Sequence, residues 1–111
     1  MKRLLALSLI LIAIITTAED DPFQKMNFLV GKWAGTGSGF GNATSKIESS
    51  FKLIMDGKYI EVKNESRFAP TEDKPEGEYH IDRGIISYDK SREIIVYRQF
   101  NNEGYVNQYS I

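Results

Sequence analysis

From Lys46 onward the chain alternates. Ile47, Phe51, Leu53 and Met55 interleave with Lys46, Glu48, Ser50 and Lys52, the period-two pattern of a half-buried strand. Asp56-Gly57 follows, a strong hairpin signal because both central residues of a type I′ turn take positive φ. Such a turn fixes the register: Met55 faces Lys58, Leu53 faces Ile60 and Phe51 faces Val62. Apolar residues then meet apolar residues on one face. Residues 69–77, with two prolines and four charges, read as a loop. Residues 78–88 form a third long strand, 89–92 a turn and 93–100 a returning strand. Residues 101–104 turn again, and 105–111 begin another strand.

Upstream of the alternation, Asp21-Pro22 opens a short helix, with Asp a favoured N-cap and Pro a favoured first residue. Phe23, Met26 and Val30 give it one apolar face, and Gly31 stops it. The stretch FLVGKWAGTGSGFG then holds Gly31, Gly35, Gly37, Gly39 and Gly41 with the chain's single tryptophan, Trp33. These glycines never spell G-x-G-x-x-G, and no G-K-[ST] follows, so a nucleotide loop is excluded. They fall on alternate residues, on the side of Trp33. A strand at residues 32–40 with one face of nearly bare backbone suits the coiled first strand of a barrel, with Trp33, Gly35 and Gly37 forming one barrel end.

The sum is one all-β domain of six antiparallel up-and-down strands after a short helix. A closed barrel with room for a ligand uses about eight strands or more. The sequence stops at Ile111 inside an alternating strand, so the chain reads as the N-terminal part of a longer barrel. An open six-stranded sheet that dimerises is the alternative, and an exposed last strand invites such self-association.

Composition sets the compartment. Lys2 and Arg3 precede an apolar run over residues 4–15, broken only by Ser8, and then Thr16-Thr17-Ala18 and Glu19-Asp20-Asp21. The run is too short to span a bilayer, which takes about 20 residues. It reads as a secretory signal peptide at residues 1–18, leaving residues 19–111 as an exported domain, periplasmic or extracellular, with no membrane span. Loss of Lys2 and Arg3 leaves 12 Lys plus Arg against 15 Asp plus Glu. With no basic block, nucleic acid is not a partner. The chain has no cysteine and one histidine, which excludes a disulfide framework and argues against a structural metal site.

Candidate chemistry gathers on the strands after the loop. A four-residue turn at 89–92 pairs Tyr88 with Glu93, Asp82 with Gln99 and Gly84 with Tyr97. His80, Asp82, Tyr97 and Gln99 then share one face, the candidate ligand pocket. The other face carries Ile81, Ile85, Ile94, Val96 and Phe100, with Arg83 directly across from Arg98. Hydrophobicity alone turns that second face inward, while the Arg–Arg pair turns it out unless an anion sits between them. Arg83 and Arg98, near Tyr105, Asn107 and Tyr109, make an alternative carboxylate or phosphate site, since guanidinium forks grip such oxyanions. A bulge at Gly84 would change the phase of half the strand. Ser87, His80 and Asp82 are triad residues by type only, because Ser87 lies on the opposite strand face. No catalytic residue is assigned.

G-K-W-A-G-T-G-S-G, with DGKYIEV and YHIDRGIISYDKSREIIVYRQF, resembles the nitrobindin-like haem-binding β-barrels and their lipocalin-like calycin relatives over residues 28–111. The resemblance implies a ten-stranded up-and-down barrel and makes haem the implied cofactor. His80-Ile81-Asp82-Arg83-Gly84 matches the family's H-x-E-x-G stretch, where the histidine overlooks the open side of the haem. Asp82 stands in place of the family's Glu, and Gln99 falls at a pocket glutamine. The family's iron-ligating histidine lies near the C-terminal end of the barrel. It has no counterpart here, where His80 is the only histidine. Three functions follow as expectations: a barrel binding a small apolar or haem-like molecule, which is preferred; a haem-dependent peroxynitrite isomerase, if an axial histidine lies beyond this chain; and a non-catalytic envelope or interaction module with a packed barrel.

Overall fold

The computed structural model describes residues 21–38 and 43–111; the signal peptide read at residues 1–18 and the glycine-rich residues 39–42 fall outside them. Asp21 caps the first turn, its Oδ1 accepting the Phe23 N–H at 2.9 Å. The helix it opens is a 3₁₀ helix, Gln24–Leu29. Three residues per turn align Phe23 with Met26, and both pack into the core. Val30 does not join them. It lies past the last turn in extended backbone, and it is 38% exposed.

Six antiparallel strands follow in one open sheet of sequential order: β1 (Gly31–Ser38), β2 (Thr44–Ile54), β3 (Tyr59–Phe68), β4 (Glu78–Asp89), β5 (Ile94–Asn101) and β6 (Val106–Ser110). β1 and β6 are its edges. Among the described residues no helix is long and apolar enough to cross a membrane.

The β2–β3 register is the one the Asp56-Gly57 turn dictates, with Leu53 opposite Ile60 and Phe51 opposite Val62. Asp56 and Gly57 take φ of 58° and 75°, and the Lys58 N–H donates to the Met55 carbonyl at 3.2 Å. Met55 also takes a positive φ, 51°, and leaves the strand face for the turn.

At the β4–β5 hairpin the register differs by two residues from the expected one. Asp89 pairs with Ile94, Gly84 with Gln99 and Ile86 with Tyr97. The Asp89 carboxylate builds the turn after itself, accepting the N–H groups of Ser91 and Arg92, the Ser91 hydroxyl and the Arg92 Nε–H. Those bonds, the Arg92 side chain foremost, hold its carboxyl far below the usual carboxylate range. A two-residue displacement keeps every side chain on its face, but it separates the two arginines. Arg98 stands opposite Ile85 and Arg83 opposite Phe100. Pairing runs through Gly84 unbroken on both sides, so there is no bulge there.

The core lies on one face of the sheet. Phe23, Ile60, Val62 and Ile86 are its buried members, flanked by Met26, Phe51, Tyr88, Ile95 and Tyr97. The 3₁₀ helix therefore covers the face that carries His80, Asp82, Tyr97 and Gln99. On the opposite face Val96 is buried, while Arg98 and Phe100 near it are exposed.

Candidate functional site

Register arranges the helix-bearing face in rows that cross the strands, with neighbours about 4.8 Å apart within a row and successive rows about 6.7 Å apart. One row is apolar: Leu53, Ile60, Ile86, Tyr97 and Tyr109. The next holds Phe51, Val62, Gly84, Gln99 and Asn107. The third is polar beyond its tryptophan: Trp33, Ser49, Asn64, Asp82 and Asn101. His80 stands in a fourth row, beside Ser66 and Ile47. The face thus passes within four rows from a helix-covered hydrophobic floor to a band of amides and one carboxylate.

Gly84 joins the first rows to the third. A Cβ placed there would lie 2.6 Å from Tyr97 Cε2, so the Tyr97 ring leans over the glycine, toward Asp82. Tyr97 Oη is closed to solvent and makes no direct hydrogen bond among the described residues, although the nearby Gln99 side chain partly opposes the rise in its pKa. Burial, then the charge of Asp82, then Tyr109 push its pKa up to about 12. The Tyr97 and Tyr109 rings stack at 6.1 Å with planes 29° apart.

The Asp82 carboxylate accepts a hydrogen bond from Asn64 Nδ2 at 2.7 Å, and Gln99 Oε1 accepts a long one, 3.4 Å, from Asn107. Asp82 makes no ion pair among the described residues. Strand lysines and arginines all occupy the other face: Lys32, Lys46, Lys52, Lys63, Arg67, Arg83 and Arg98.

His80 has its own company. Its Nδ1 lies 2.9 Å from Glu103 Oε1 and its Nε2 3.8 Å from Glu78 Oε2, while Lys74 pairs with Glu78. The Phe68 ring meets His80 edge-on at 5.6 Å. Of the four pocket residues expected from sequence, Asp82, Tyr97 and Gln99 come together, and His80 stands one row beyond Asp82. Asn64, Asn107, Glu78 and Glu103 are the partners that sequence reasoning missed.

Arg83 and Arg98 lie on the opposite, exposed face, where Arg98 Nε–H donates to Gln108 Oε1 at 3.1 Å. Asn107 and Tyr109, expected near these arginines, share the Tyr97 face instead. Trp33 is 49% exposed and donates its Nε1–H to the Leu29 carbonyl at 2.7 Å, tying β1 to the helix. Gly35 leaves open space beside Trp33, whereas a Cβ at Gly37 would meet Ser45 Oγ at 2.8 Å.

A depression of about 460 Å³ lies on the opposite face, lined by Lys32, Glu48, Lys63 and Glu65 among others. Of its charges, Lys63 and Glu65 are paired at 2.7 Å. The buried hydroxyl of Tyr97 lies on the helix-bearing face, and the candidate site is placed there.

No family model, curated protein or solved structure matches the chain. The nitrobindin-like resemblance therefore rests on its motif residues alone. The residues present do not fit haem. The strands of this face offer its propionates no lysine or arginine, and the one histidine is flanked by two carboxylates.

The raised Tyr97 pKa has a measurable sign. A phenol that holds its proton more tightly when folded contributes full stability below about pH 10. That stability is lost as pH rises toward about 12. For a half-exposed ring the loss is about 1 kcal/mol after solvent screening. Tyr97→Phe is expected to abolish this alkaline loss. At neutral pH it keeps or raises stability, because it deletes an unpaired hydroxyl. Urea unfolding of both proteins at neutral and alkaline pH checks both results.

Proposed function

We propose that the chain binds a small, largely apolar molecule on the helix-bearing face of its sheet, as part of the wall of an up-and-down, calycin-like β-barrel. One observation carries the reading: the buried, unpaired Tyr97 hydroxyl where the apolar rows meet the Asp82 row. Ligand sites are mostly apolar with a few placed polar groups, and a buried hydroxyl without a partner costs about 1–3 kcal/mol. A bound guest removes that cost. Export follows in this reading from the segment at residues 1–18.

The test is fluorescence titration of the full chain with a hydrophobic dye, beside His80→Ala. His80 borders the Asp82 row and is 41% exposed in its side chain. The variant is expected to change dye affinity by roughly threefold to tenfold, about 0.7–1.4 kcal/mol, with the melting temperature little changed. A fall of several degrees with affinity untouched would make His80 a structural residue and remove it from the site.

A second reading has its own observation. β6 is an edge strand with Val106, Tyr109 and neighbouring Tyr105 exposed, and no charged residue interrupts it. Such an edge pairs readily with another strand, so self-association through β6 would make this an interaction module.

A further inference from the structure

We infer that the guest carries a positively charged amine, held between the Asp82 carboxylate and the stacked rings of Tyr97 and Tyr109. This deepens the proposed small-molecule reading and rests on it.

The charge layout points to a cation. On the helix-bearing face the strand residues with charge are Glu78, Asp82 and the titratable His80, and every strand lysine and arginine faces the other way. Glu78 is neutralised by Lys74. Asp82 is left with one hydrogen bond, from Asn64. A carboxylate holding a single donor has acceptor capacity to spare, because two ionised oxygens offer about four lone-pair sites. It faces no cation in its own row, where Trp33, Ser49, Asn64 and Asn101 stand.

Asp82 selects the sign of the charge, and the tyrosines select its chemistry. An ammonium near the face of an aromatic ring is attracted by the ring quadrupole, and the rings of Tyr97 and Tyr109, stacked at 6.1 Å, stand one and two strands beyond Gly84. The hydroxyl of Tyr97 is closed to solvent in the free chain, and a swing of the ring off Gly84, which it overhangs, opens it to accept a second ammonium N–H. Gln99 and Asn107 already engage each other and close the far side. An anionic head group finds no strand lysine or arginine on this face. A neutral one forms the hydrogen bonds but leaves Asp82 without a counter-charge.

The experiment titrates the full chain with n-octylammonium, n-octanol and n-octanoate by calorimetry. Octylammonium is expected to bind about tenfold more tightly than octanol, the scale of a hydrogen bond to a charged group, and octanoate most weakly. Asp82→Asn should erase the difference between octylammonium and octanol while octanol affinity stays put. Glu48→Gln, on the opposite face, should leave it intact. Should Asp82→Asn fail to fold, Ser49→Lys in the same row is expected to reverse the preference toward octanoate. Equal binding of all three probes would overturn the inference and leave the small-molecule reading standing. Octanoate preference in the unaltered chain, or a preference that Glu48→Gln abolishes, would also overturn it. Binding of none would remove both.

Discussion

Gly84→Ala is expected to destabilise the fold by about 3 kcal/mol, the upper end of what an inserted methyl group does in a packed site. The added Cβ would lie 2.3 Å from the Arg98 carbonyl oxygen and 2.6 Å from the Tyr97 ring. The ring can swing aside, but the carbonyl belongs to the β4–β5 ladder and moves only with the strand. Gly84 is thus the position on β4 where a neighbouring backbone and an aromatic ring both need the missing side chain. Gly35→Ala supplies the contrast, since nothing lies within 4 Å of a Cβ there. It is expected to change stability by less than about 0.5 kcal/mol. Thermal and urea unfolding measure both variants, and a Gly84→Ala chain as stable as the parent would contradict the Tyr97 geometry on which the site depends.

The hairpin between β2 and β3 was fully legible because Asp56-Gly57 admits one turn geometry, and that geometry sets every pair behind it. Four residues between Tyr88 and Glu93 carry no such constraint. Whether Asp89 lies in the turn or pairs with Ile94 is decided by its own side chain, whose hydrogen bonds reach forward to Ser91 and Arg92. The face assignment survived that difference because strand parity repeats every two residues. The direct Arg83–Arg98 pair did not survive it.

Asn64 was invisible for a different reason. Its partner Asp82 is reached across the loop at residues 69–77, too long to fix the β3–β4 register by its length. The hydrophobic pattern predicted a helix face of Phe23, Met26 and Val30, but a 3₁₀ repeat ends that face at Leu29. Trp33 reads with Gly35 and Gly37 as one barrel end, from its size and its glycine neighbours alone. Its indole N–H to the Leu29 carbonyl is a tertiary contact that periodicity does not encode.

Phe23→Ala is expected to cost about 3–5 kcal/mol, the usual range for truncating a buried phenylalanine. Phe23 is 1% exposed and packs against Ile60 and Val62 of β3 and Ile86 of β4. Among the described residues the short helix is the layer that covers this face, so the ring and Met26 shield the apolar rows from water. The variant should also bind the hydrophobic dye with a new, weaker and less selective phase, as uncovered Ile60 and Val62 add apolar surface. Denaturant unfolding reads the first effect. A loss below about 1 kcal/mol would mean that the helix does not dock on this face in solution.

The site itself depends on which face of the sheet receives the guest, and nuclear magnetic resonance chemical-shift mapping of the labelled chain with n-octylammonium answers that residue by residue. The expected result is a cluster of shifted signals at Asn64, Asp82, Tyr97 and Gln99, all on the helix-bearing face. Shifts gathered instead at Lys32, Glu48 and Lys63, around the depression on the opposite face, or no shifts at all, would contradict it.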